Sequence, residues 1–173
     1  EPEVAGTVDE DQPDDDEQHD AGDLRGAGPS FCAGGDVLAL AHGMSDFTIE
    51  ELAHTINSGI LALVQSSVPV VAAAHGTTAG GGLGILLASD YAVVGEDSKI
   101  GSLYANVGLT PDLSVTASLA KAVGERRALQ LVLSDRMLSA QQAPDWGRVA
   151  RGVAGDAAIS RADHSSPKPT TAL

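Results

Sequence analysis

One stretch constrains the fold more than any other: Val68-Pro69-Val70-Val71-Ala72-Ala73-Ala74, followed at once by His75-Gly76-Thr77-Thr78-Ala79-Gly80-Gly81-Gly82. A continuous apolar run of this length has no polar face to show to water, as expected of a strand buried on both sides in a parallel sheet. Such strands need crossover helices, and helix patterns flank it. The triple glycine leads into a helix expected over Leu83–Ser89, and a short strand is expected from Tyr91 to Val94. Upstream, Ile49, Leu52, Ala53, Ile56, Ile60, Leu63 and Val64 recur at helical spacing, which predicts a helix with one buried stripe. Asp46 or Thr48 would cap it, with Thr48 and Glu51 forming a capping box. Downstream, Glu125–Ser134 reads as an amphipathic helix. Ser139 with Gln142 would start another, stopped by Gly147. The fold class that follows is α/β.

Outside this core the pattern fades. Eleven of the 24 acidic residues lie in residues 1–24, with no Lys or Arg before Arg25. Such a segment buries too little apolar surface to offset its chain entropy, so disorder is expected there. The remaining chain has 13 acids against 10 bases, an ordinary balance, and no basic stripe to neutralise phosphates, which argues against nucleic acid as a partner. Residues 154–173 read as a flexible tail, leaving 25–153 as the structured core. Cys32 is the single cysteine, which fits a reducing, cytoplasmic setting. No apolar run reaches membrane-spanning length, so no membrane partner is expected.

Two glycine clusters carry the functional signal: Gly26-Ala27-Gly28-Pro29-Ser30-Phe31-Cys32-Ala33-Gly34-Gly35-Asp36 and Thr78-Ala79-Gly80-Gly81-Gly82-Leu83-Gly84. Glycine permits close backbone approach to a ligand. At a helix start it also leaves N–H groups aimed outward in the field of the helix dipole. Tight turns and anion binding both remain open from spacing alone. Competing motifs are absent. Phe31 stands where a dinucleotide fingerprint needs its third glycine. Neither cluster ends in Gly-Lys-Ser/Thr, no nucleophile elbow occurs, and the histidines show no metal-ligand spacing.

As an ordered set, these segments resemble the enoyl-CoA hydratase/isomerase (crotonase) superfamily. The set runs from Ser30–Asp36 through Pro69–Gly76, the triple glycine, Asp90, Ile100-Gly101, Val107–Asp112, Val123–Ala128 and Leu138–Ala140 to Asp145-Trp146-Gly147. The resemblance spans residues 26–147 and implies a crotonase-like ββα spiral core, apparently truncated or divergent at both ends. The composition of those ends leaves two origins open, a shifted reading frame or a genuine acidic extension.

What the resemblance implies is acyl-CoA chemistry without a cofactor, the coenzyme A thioester being the substrate, in a homo-oligomer (trimer or hexamer). By motif position the oxyanion hole falls on the N–H groups of Gly35 and Gly81. Ala33, Gly34, Asp36, Gly80, Gly82, Gly84 and Tyr104 would line the substrate, with Asp36 also suited to a structural turn or cap. The two glutamates used by hydratases align with Gly84 and Tyr104, neither of which can do carboxylate work. Asp112 follows Gly108-Leu109-Thr110-Pro111, where isomerases of the family commonly carry an acid. It is therefore either the single base of a double-bond shift or the N-cap of a helix starting near Ser114. Two further readings accompany isomerisation: hydration by the same pocket, and a non-catalytic fragment that assembles with intact homologues.

Overall fold

The computed structural model describes residues 21–43, 45–146 and 149–153. The acidic run 1–20, the tail 154–173 and Gly147 lie outside them. The expected apolar strand forms as Val70–Ala74. It is the second strand, β2, and is flanked in parallel by β1 (Gly22–Arg25) and β4 (Tyr91–Gly95). All five residues of β2 are buried, so every side chain has a partner above or below the sheet. With β7 (Val149–Val153) the main sheet has the order β1-β2-β4-β7. A second sheet, β3-β5-β6, combines β3 (Thr77–Ala79), β5 (Lys99–Gly101) and β6 (Met137–Ser139). The structured core begins earlier than expected. Ala21 is buried and β1 starts at Gly22, because hydrogen bonds to β2 can hold a strand of weak apolar pattern.

Five helices accompany the sheets among the described residues. They are α1 (Val37–Ala41), α2 (Asp46–Val64), α3 (Gly81–Ala88), α4 (Val115–Val123) and α5 (Glu125–Val132). The larger core lies between α3, α4 and α5 and the two sheets, where Leu83, Leu86, Val94, Ile100, Val115, Leu119 and Leu131 meet. Asp90 fastens the main sheet: its Oδ2 accepts from Val70 N–H at 2.9 Å, and its own N–H donates to Val70 O at 2.9 Å.

Three local expectations are corrected. The cap of α2 is Ser45, whose hydroxyl accepts from Thr48 N–H at 3.2 Å; extended φ/ψ at Ser45 lets its oxygen turn back onto the first turn. The stripe of α2 is not buried. Ile60 is 7% exposed, but Ile49, Leu52, Ile56 and Val64 range from 39% to 64%, because within this chain only the C-terminal part of the helix meets the core. Ser139 belongs to β6, and the segment after it makes a 3-10 turn, Ala143–Trp146, instead of an α-helix. The Gln142 side chain still reaches back to Ser139 N–H at 3.1 Å, but Pro144 has no N–H to continue an α-helical ladder.

Candidate functional site

The two glycine clusters, far apart in sequence, lie side by side. Residues 31–33 run along 75–79 as an abbreviated strand. Phe31 N–H donates to His75 O (2.9 Å), Cys32 N–H to Thr77 O (3.3 Å) and Ala79 N–H to Cys32 O (3.0 Å). Gly76, at φ +54°, permits this approach: a Cβ there would stand 2.2 Å from Pro29 O. Gly82 permits it from the other side, since its Cβ would stand 2.0 Å from Cys32 O. Gly34 has φ +108°, and a Cβ on it would lie 3.1 Å from Ala79 O and 3.5 Å from Gly81 N. The turn of the first loop therefore sits against the N-terminus of α3.

Gly80 caps α3 in a conformation (φ 54°, ψ −128°) that glycine favours, without a side-chain cap. Among the described residues, the N–H groups of Gly35 and Gly81 donate to no acceptor. Two unpaired donors from adjoining loops, one of them at a helix N-terminus, suit a developing negative charge. Asp36 caps α1, its Oδ1 accepting from Leu38 N–H at 3.0 Å. Ala33 is exposed beside Gly34. Beneath the cluster, Gly80 N–H donates to Ser102 O at 3.0 Å.

Tyr104 opens a 3-10 turn, Tyr104–Val107, and is buried. Its hydroxyl donates to Asp112 Oδ1. Burial, reinforced by that hydrogen bond and the nearby carboxylate charge, pushes the tyrosine well above its usual pKa. It is a permanent donor, not a base. The N-cap alternative for Asp112 is corrected. Helix α4 begins after Ser114 with no side-chain cap, and only the backbone carbonyl of Asp112 meets Val115 N–H, at 2.9 Å. The Asp112 carboxylate turns to Tyr104 instead.

Leu113 and Ser114 both have left-handed backbones, φ 47° and 55°, costing about 1–2 kcal/mol each for residues other than glycine. That turn lays Leu113 over α3. A Cβ on Gly84 would stand 2.7 Å from Leu113 Cβ and 2.8 Å from its carbonyl oxygen, and a Cβ on Gly81 would stand 3.0 Å from Leu113 Cδ1. Asp112 is thereby held one residue from the contact with Gly81. Sequence reasoning missed Leu113. Its only signal in the sequence was a bulky apolar residue directly after Asp112.

These features define a two-sheet α/β protein with two unpaired backbone donors on adjoining loops and a carboxylate held by a buried tyrosine. The family profile of enoyl-CoA hydratase/isomerase matches residues 11–166. The chain belongs to that family. It is 32% identical to the 1,2-epoxyphenylacetyl-CoA isomerase of Escherichia coli over 163 residues, covering 87% of this chain and 60% of the relative. It is 34% identical to 4-chlorobenzoyl coenzyme A dehalogenase-1 of an Arthrobacter species over 133 residues, covering 74% and 48%. The crystal structure of an enoyl-CoA hydratase from Bacillus anthracis superposes with a TM-score of 0.77 at 30% identity, covering 83% of this chain and 56% of that one. The fold is thus that of the crotonase enzymes, and the chain spans about half the length of the curated relatives it matches. The different reactions named for these relatives show that the shared scaffold does not specify the chemistry. Among the described residues, no helix is long and apolar enough to cross a membrane and no cluster of potential metal ligands occurs.

Proposed function

We propose that the protein binds an acyl-CoA thioester and shifts a carbon–carbon double bond along the acyl chain, with Asp112 as its single base. The Gly35 and Gly81 N–H groups take the thioester oxygen, and their hydrogen bonds strengthen as charge develops on it. Asp112 removes a proton from the carbon next to the thioester. The electrons pass into the enolate, and the same carboxyl returns the proton two carbons further along. One oxygen of Asp112 is held by Tyr104, so the carboxylate has a defined orientation while Oδ2 remains open to carry the proton.

The observation that carries this reading is the Tyr104–Asp112 hydrogen bond, made by the residue next to Leu113, whose side chain meets Gly81. Other nearby acids have structural partners: Asp36 caps α1, Asp90 accepts from Val70 and Asp97 accepts from Gly76 N–H at 3.2 Å. Hydration by two carboxylates is less well supported, since Gly84 has no side chain and Leu113 occupies the space above it. The test is conversion of a 3-enoyl-CoA to the 2-enoyl-CoA by purified protein, followed chromatographically. Asp112→Asn is expected to lower kcat by about 10²–10⁴-fold, the usual contribution of a general base, while acyl-CoA binding by calorimetry persists. Undiminished turnover in Asp112→Asn would remove Asp112 from the mechanism.

A further inference from the structure

We infer that a cavity along the C-terminal part of α3 is a further binding site, which takes an alkyl chain carrying an uncharged oxygen head group. The inference is independent of the thioester chemistry proposed above. The cavity has a volume of about 280 Å³, close to the lower end of small-molecule sites at about 300 Å³. Its deep part is apolar and buried, walled by Leu83, Leu86, Ile100, Leu119, Leu131 and Leu138. Gly35, Gly81, Tyr104 and Asp112 do not line it, so it is separate from the paired N–H groups and the carboxylate. The space exists because small side chains meet there. Ala88, Ala92, Ala122 and Ala143 reach it from four different segments, where longer side chains would interdigitate and close it. A bound alkyl chain supplies the dispersion contacts that these walls lack.

The head group follows from the polar lining residues, Ser89, Asp90, Ser118 and Lys121, whose partial or full exposure puts them on the open side. Two are already engaged. The Ser89 hydroxyl donates to Leu86 O at 2.7 Å, and Asp90 Oδ2 accepts from Val70 N–H at 2.9 Å. Ser118 and Lys121 make no side-chain hydrogen bond or ion pair among the described residues. They stand three positions apart on α4 and so share a face of the helix. Both can donate, which suits an oxygen acceptor. A negative charge on that oxygen gains little, because Asp90 shares the rim and the C-terminal ends of α3 and α4, at Ala88 and Val123, line the same space. A positive head group would meet the Lys121 ammonium. An alcohol satisfies every one of these conditions.

The experiment titrates octanol, octanoate and octylamine into the full chain, with affinity read by calorimetry and stability by thermal melting. Octanol is expected to bind at one site and to raise the melting temperature, and the two charged ligands are expected to bind more weakly. Ala122→Leu and Ala88→Leu each extend a side chain into the cavity, from different helices, so that a folding defect in one leaves the other. Excluding two methylenes of the ligand should weaken octanol about tenfold. Ser118→Ala combined with Lys121→Met keeps the walls and should weaken it roughly two- to tenfold. Unchanged octanol affinity in a filled variant that melts cooperatively would overturn the site, and unchanged affinity in the double variant would overturn the role of the two donors. Octanoate or octylamine binding more tightly than octanol would overturn the uncharged head group. Absence of binding by all three would overturn the site outright and leave the thioester reading untouched.

Discussion

The Tyr104 hydroxyl is buried against a carboxylate, and both circumstances favour its neutral form. A tyrosine so placed orients Asp112 at any pH at which the protein would work. It also ties stability to alkaline pH. The folded-state pKa lies above the ordinary value of 10.0, so the stabilisation is fully present below about pH 10. It is lost as pH rises through the folded value, because the unfolded chain releases its proton first. Tyr104→Phe removes the hydrogen bond. At neutral pH it should cost about 1 kcal/mol, a modest figure because Asp112 is exposed. Urea unfolding of wild type and Tyr104→Phe should show this gap shrinking above about pH 10. A constant gap would mean that Tyr104 titrates normally. At this scale the sequence showed which residues are glycine and which are acidic, and motif order brought out Gly35, Gly81 and Asp112. It could not show Leu113, because a left-handed backbone at a leucine is imposed by the segments it joins and not by its own preference.

Among the elements, β2 was readable except for its start, which falls at Val70 and not Val68, since an uninterrupted apolar run has one stable environment, the middle of a parallel sheet. Helix α3 was nearly so, beginning at Gly81 and not Leu83. Helix α2 was readable as a helix but not in its surroundings. Its periodicity implied a buried stripe, yet most of that stripe is exposed, because amphipathicity says which face would be buried and not whether a neighbour exists to bury it. Its cap was misplaced by one to three positions for a related reason. Ser45, Asp46 and Thr48 are all competent caps, and the choice depends on the φ/ψ of the incoming chain. Ser45→Ala should destabilise the protein by about 1 kcal/mol in denaturant unfolding. A change near zero would mean that the first turn is held by other groups.

At the scale of the molecule, the main sheet takes its edge strands from opposite ends of the described chain, β1 from residues 22–25 and β7 from 149–153. Its closure is therefore the last thing the local sequence could specify. Ending the chain before Val149 would leave β4 with an unpaired edge. Such a variant should melt at a lower temperature and scatter light on heating. Indistinguishable melting would show that β7 adds no stability. The sequence alone determined the α/β class, the family and the two glycine loops, because these depend on short-range patterns and on motif order. Only the tertiary structure decided that the loops adjoin, that Asp112 turns to Tyr104 instead of capping α4, and that Leu113 closes the space above Gly84. The loop pairing and the Leu113–Gly84 contact join segments remote in sequence, and the Tyr104–Asp112 bond closes a loop of eight residues; the geometry of all three is set by the packing of strands and helices and by no residue's own propensity.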